Sequence, residues 1–189
     1  MRSPADGSVA RGSRLRAFIT GLAGTSLSEA EAGFLAEARP CGIIIFSRNF
    51  QDDVQLRALI GASLAAIGAR DLLVLVDQEG GRVQRLRGGG WPNVPPAARF
   101  GDLYRRDRNA ALDVTRTAMH GLGLRLRAVG INTNCAPCLD VPVAAADDVI
   151  GNRAFGDAPD VVAALGRAAA EGLLAAGVVP VIKHVPGHG

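Results

Sequence analysis

Leu72 to Val76 (LLVLV) is an unbroken apolar run that ends on Asp77, followed by the acidic, glycine-rich corner QEGG and then by Arg82 to Arg85. An apolar run without alternation is the mark of a strand buried on both faces, as in a parallel sheet covered by helices. Asp77 then stands where the strand leaves the sheet at its C-terminal end, the rim on which α/β proteins gather their chemistry. Gly80 and Gly81 free the backbone to turn sharply. Arg82 and Arg85 lie three apart and share a face if a helical turn begins there. A strand-end aspartate also serves as a helix cap or an arginine partner, so this stretch alone leaves both roles open.

The rest of the chain repeats the same unit. Ala17 to Gly21 reads as a first strand, and Ser28 with Glu31 has the spacing of a capping box opening a helix that Pro40 closes. Cys41 to Phe46 is a second buried strand ending in the polar Ser47-Arg48-Asn49. Asp52 or Asp53 caps a second helix, with Leu56, Leu59, Ile60, Leu64 and Ile67 on one face and Gly68 as its stop. After the third strand comes an irregular stretch from Gly88 to Pro96, of a length that in a compact domain points to function. A helix from Asp107 to Ala128 carries Ala111, Val114, Ala118, Leu122 and Leu126 as its inner stripe. Ile131 to Ala136 is a fourth strand, Asp160 caps a helix ending at Gly177, and Val178 to Ile182 is a fifth strand.

This order fits either a doubly wound sheet or a (β/α)8 barrel. A full barrel needs about 250 residues and eight strands, whereas this chain has 189 residues. A chain finishing on a strand-end loop, with no helix to cover its last strand, is expected to be the front portion of a barrel. Its first and fifth strands would then have unpaired edges, which invites aggregation.

Composition narrows the function classes. With 48% hydrophobic residues the chain can bury one domain's core. The net charge is +3, basic residues are scattered and aromatics are only 4%, which argues against a nucleic-acid partner. No stretch approaches a membrane span, so no membrane partner is expected. The start, MRSPADGSVARGSRLR, is positive but is followed by no apolar segment with a cleavage site, giving an expectation of a cytoplasmic protein with a disordered segment over residues 1–14.

Two motifs remain. Cys135-Ala-Pro-Cys138 has redox spacing, but Leu-Asp-Val-Pro follows and Pro142 argues against a helix starting there. No further ligands stand at zinc-site spacing, so neither a metal nor a cofactor is expected. Lys183-His184-Val185-Pro186-Gly187-His188-Gly189 places the only lysine beside two histidines at a strand end. Neighbours on a regular strand face opposite sides, so Lys183 and His184 reach one pocket only across irregular backbone.

Taken together, VDQEGGRVQRL (76–86), CAPCLDV (135–141), IGNRAFG (150–156) and KHVPGHG (183–189), with IIIFSRN after the second strand, resemble glycoside hydrolase family 3. Within it they resemble the bacterial β-N-acetylhexosaminidases of cell-wall recycling. The chain departs from the pattern at Cys138, where an aliphatic residue is usual, and at Val185, where Phe is common. The resemblance implies a TIM (β/α)8 barrel, here its first five β/α units over residues 15–189. It implies removal of terminal non-reducing β-linked N-acetylglucosamine from peptidoglycan fragments (the disaccharide with anhydro-N-acetylmuramic acid and its peptides), with retention at the anomeric carbon. The positions matching Asp77, Arg85, Arg153, Lys183 and His184 would bind the sugar. Asp77 accepts from adjacent hydroxyls, Lys183 and His184 donate, and the two arginines offer planar donor forks. A retaining hydrolase needs a nucleophile and an acid/base. In the family these are an aspartate and a loop histidine beyond the point matching Gly189, so no residue here takes either role and the chain alone is expected to lack turnover. The other readings are a non-catalytic sugar-binding remnant, a family 3 hydrolase of other β-glycosides, and an open-sheet redox protein. Oligomeric state is left open.

Overall fold

The computed structural model describes residues 14–69, 71–143 and 148–188. Apart from Arg14, the expected disordered start lies outside the described residues. Strand β1 (Arg16–Gly21) leads to helix α1 (Glu29–Ala38), whose capping box is formed as expected: Glu31 N–H donates to Ser28 Oγ and Ser28 N–H to the Glu31 carboxylate. Arg39 ends α1 in the left-handed region at φ 47°, and Pro40 begins strand β2 (Pro40–Ile45). A short 3-10 turn, Ser47–Asn49, precedes α2 (Asp53–Ile67), which Asp52 caps by accepting from Val54 and Gln55 N–H and Gly68 closes at φ 70°.

Strand β3 (Leu73–Val76) carries the apolar run that leads into Asp77. The chain then makes a small antiparallel hairpin, β4 (Gln78–Gly80) and β5 (Val83–Gln84), so no helical turn puts Arg82 and Arg85 on one face. Helix α3 (Ala97–Tyr104), absent from the sequence reading, is followed by α4 (Arg108–Ala128), capped by Asp107. Strand β6 (Thr133–Asn134), a 3-10 turn at Gly151–Arg153, α5 (Pro159–Ala175) and β7 (Val179–Pro180) complete the chain. The cap of α5 is Ala158, with Pro159 at its first position, so Asp160 lies in the first turn rather than at the cap.

The five-stranded sheet runs β1-β2-β3-β6-β7, all parallel. Every crossover adds its strand at the same edge. A doubly wound sheet reverses direction partway, whereas one-way addition with right-handed crossovers puts all helices on one face and curls the sheet toward a barrel. The described strands form an open arc of such a barrel, with β1 and β7 as its edges.

The core lies between this sheet and the helices, with Ile43, Ile45, Val74 and Val76 of the strands packed against Leu56, Ile67, Leu122 and Leu165. On α4 the buried stripe is Ala111, Thr115, Met119, Leu122 and Leu126, while the expected Val114 is 47% exposed. Helices α4 and α5 cross closely because Gly172 has no side chain: a Cβ there would stand 2.3 Å from the Arg116 carbonyl oxygen. Strand β6 is shorter than expected, and asparagine side chains take over part of its pairing with the β3 segment. Asn132 accepts from Val74 N–H and donates to the Leu72 carbonyl, and Asn134 does the same with both backbone groups of Gln78.

Candidate functional site

The site is built where the parallel strands end. Asp77 follows directly on β3, and its neighbour Gln78 is fully buried. The Gln78 side chain accepts from Arg85 and Leu86 N–H and donates to the Leu86 carbonyl, so it folds the hairpin back onto the strand end and fixes where Arg85 starts. The paired glycines at the tip are required by space as well as by conformation. Gly80 (φ 106°) and Gly81 (φ 55°) lie against the loop at Val94–Pro96, where added Cβ atoms would each come within 2.6 Å of Pro95 or Pro96. Trp91 secures that loop from outside by donating its indole N–H to Asp53, whose other oxygen pairs with Arg125.

Lys183 reaches the same place from the other side. Its expected irregular backbone is present: β7 stops at Pro180, the Lys183–His184 peptide is cis, and Lys183 makes an isolated parallel bridge with Cys138. The ammonium lies 2.8 Å from Asp77 Oδ1 and 2.6 Å from Glu79 Oε1. Arg85 approaches the second Asp77 oxygen at 3.5 Å. Arg153, at the end of its 3-10 turn, grips Glu79 with two donors, Nε at 2.9 Å and a terminal nitrogen at 2.8 Å. Burial opposes the charge on Lys183, but hydrogen bonds and attraction from Asp77 and Glu79 outweigh it and raise its pKa above the usual lysine value.

Beside this chain of charges stands a second group. The Asp140 carboxylate has no exposed surface; it is bonded to His184 Nδ1, accepts from the Cys138 thiol at 3.1 Å, and accepts from His188 N–H at 2.7 Å. Burial alone would raise its pKa, yet the hydrogen bonds from His184, Cys138 and His188 hold it below the usual carboxylate range. Burial pushes the Cys138 thiol up to about 11 against a backbone hydrogen bond at Asp140, and the Asp140 and Glu79 carboxylates add to the rise.

The structure thus brings Asp77, Arg85 and Lys183 into direct contact and joins Arg153 to them through Glu79. His184 lies next in the chain but turns its Nδ1 to Asp140. Arg82, highlighted by its spacing, points elsewhere and donates to the carbonyls of Asp148 and Val149. Glu79 and Asp140 were not singled out by sequence reasoning. For Glu79 a signal existed: two residues on from Asp77 in an extended chain, it projects to the same side. For Asp140 only tertiary packing reveals the partners. The Cys135–Cys138 pair forms no disulfide; both thiols are free.

This arrangement offers two carboxylates, an ammonium, two guanidinium groups and an imidazole around one strand-end rim, which suits a neutral polyhydroxylated ligand. The comparisons agree with that chemistry. The β-hexosaminidase of Xylella fastidiosa (strain 9a5c) is 42% identical over 171 residues, covering 90% of this chain and 50% of that protein. The crystal structure of NagZ from Neisseria gonorrhoeae in complex with N-trifluoroacetyl-D-glucosamine superposes with a TM-score of 0.85 at 35% identity, covering 90% of this chain and 51% of that one. The same protein in complex with zinc ion gives a TM-score of 0.86 at 35% identity, covering 93% and 52%. The chain spans about half the length of the relatives it matches. The N-terminal domain of glycosyl hydrolase family 3 matches residues 14–189, and the chain belongs to that family.

Proposed function

We propose that the chain is the sugar-binding part of a β-N-acetylhexosaminidase that removes terminal N-acetylglucosamine from peptidoglycan fragments with retention, in cell-wall recycling. In this reading Asp77, Arg85, Arg153, Lys183 and His184 hold the sugar, and the nucleophile and acid/base are supplied from outside the chain. The observation that carries it is the convergence of Asp77 and Lys183 from separate strand ends, 2.8 Å apart. Asp77 is oriented by Lys183 and Arg85 and keeps lone pairs for adjacent sugar hydroxyls, while Lys183 and His184 donate to hydroxyl oxygens. Glu79 is the brace of this arrangement, because it bridges Arg153 and Lys183. A cytoplasmic placement belongs to the same reading.

Calorimetry with N-acetylglucosamine tests the proposal. The purified chain should give a binding heat, and Asp77→Ala should weaken binding at least about tenfold, as expected for loss of a charge-assisted hydroxyl contact. A nitrophenyl N-acetylglucosaminide should not be turned over by the chain alone. Unchanged binding in Asp77→Ala would remove the sugar-site assignment, and nitrophenol release would remove the division of labour.

A further inference from the structure

The side chains of Cys138, Asp140 and His184 come from two separate loops and place Sγ, Oδ2 and Nδ1 within 4.8 Å of one another. We propose that they form a binding site for a thiophilic divalent cation of the zinc class.

The donor set argues for that class. A thiolate, an imidazole nitrogen and one carboxylate oxygen suit zinc or cobalt, whereas magnesium and calcium take oxygen ligands. The present hydrogen bonds already have the connectivity of a metal site. One anionic oxygen, Asp140 Oδ2, is the shared partner of a thiol and an imidazole nitrogen, and a cation bonded to all three would take the place of both contacts. Metal–ligand bonds of about 2.0–2.3 Å would separate the three atoms by roughly 3–4 Å, within the 4.8 Å that now spans them. Coordination releases the thiol proton to solvent and changes no oxidation state.

The surroundings also fit. Cys138 and Asp140 are buried, while the His184 side chain is 34% exposed and leaves a path from solvent. The second Asp140 oxygen is held by His188 N–H at 2.7 Å, the kind of outer contact that orients a ligating carboxylate. A fourth position falls to water or to the His188 ring, whose centroid lies 5.6 Å from that of His184. Cys135, despite its sequence spacing, is not in the group. Cys138 is also a position at which the chain departs from the aliphatic residue usual in the resemblance, so Cys138→Val is a conservative removal of the sulfur.

The test is a titration of the chelator-treated chain with Co(II), read by the near-ultraviolet sulfur-to-cobalt charge-transfer band, and then displacement by Zn(II). One equivalent of Co(II) should produce the band and one of Zn(II) should abolish it. Cys138→Val should eliminate the band and weaken zinc binding at least about tenfold, since even outer-shell losses cost metal sites about 10–100-fold. Cys135→Ala and Cys41→Ala should retain it. No band in the unaltered chain, or a band that survives Cys138→Val, would overturn the site and leave a hydrogen-bonded triad. X-ray absorption at the zinc edge of the unaltered chain needs no variant: one sulfur neighbour supports the site, and nitrogen and oxygen neighbours alone overturn it.

Discussion

Lys183 Nζ stands 2.8 Å from Asp77 Oδ1, a contact that joins two strand ends 106 positions apart in the chain. Glu79 shares the same ammonium at 2.6 Å and passes the connection on to Arg153. The lysine is therefore the common partner of both carboxylates. Its loss would leave Asp77 with Arg85 and Glu79 with Arg153, dividing one network into two pairs.

The pH dependence of stability follows from the sign of the Lys183 shift. Its pKa is raised in the fold above the usual 10.5, so the ammonium's contribution is fully present below that value and is lost as pH rises through the folded pKa. The difference in unfolding free energy between the unaltered chain and Lys183→Met should be constant from neutral pH to about pH 10 and should shrink above it. Urea unfolding at a series of pH values checks this; a difference that grows in alkali would contradict it.

Burial separates the ion pairs that matter from those that do not. Glu79 is 8% exposed and Arg153 11%, so Glu79→Gln leaves two buried cations with one negative partner fewer and should cost about 3 kcal/mol. Glu171, paired with Arg116 on the surface, is 45% exposed, and Glu171→Gln should stay within about 0.5 kcal/mol. The two urea midpoints compared directly decide the matter.

Helical glycines should respond with opposite signs. An added methyl at Gly61 or Gly121 meets nothing within 4 Å, so Ala at either position should stabilise by roughly 0.5–1 kcal/mol. At Gly101 the Cβ would lie 1.7 Å from the Phe155 carbonyl oxygen, and backbone cannot yield as a side-chain tip can. Gly101→Ala should destabilise by about 3 kcal/mol. Thermal unfolding of the three single variants distinguishes them.

Trp91 is the only tryptophan and is 6% exposed, with its indole N–H donated to Asp53 at 2.8 Å. Trp91→Phe keeps an aromatic ring but leaves that oxygen without its donor, which should cost about 1 kcal/mol. Emission from the unaltered chain should shift to longer wavelength on unfolding, in step with the loss of far-ultraviolet circular dichroism.

The limits of reading the fold from sequence show at particular residues. The inner stripe of α4 is displaced by one residue at two points, with Thr115 and Met119 buried in place of Val114 and Ala118, and a threonine looks polar in the sequence. Thr115 donates its hydroxyl to the Ala111 carbonyl at 2.7 Å, so it is satisfied within its own helix and can face the core while Val114 faces out. Helix α3 leaves little signal in the sequence, because its cap, Pro96, makes no side-chain hydrogen bond and only Phe100 and Gly101 are buried along it. The EGGR corner leaves a helical turn at Arg82 and Arg85 open, although paired glycines between short extended runs also signal a hairpin, the form the chain takes.

By itself the sequence determined what is written within a few neighbouring positions. The apolar runs specify the buried strands, Ser28 with Glu31 and Asp52 with Gly68 mark helix ends, and the motifs identify the strand tips that carry polar groups. Those features depend on local periodicity and capping, so they survive without knowledge of distant residues. The strand order, the bridging place of Glu79 and the meeting of Cys138, Asp140 and His184 were settled by tertiary structure alone. Charge pairing at a rim depends on which strand ends become neighbours in space, and that adjacency is a property of the curled sheet as a whole.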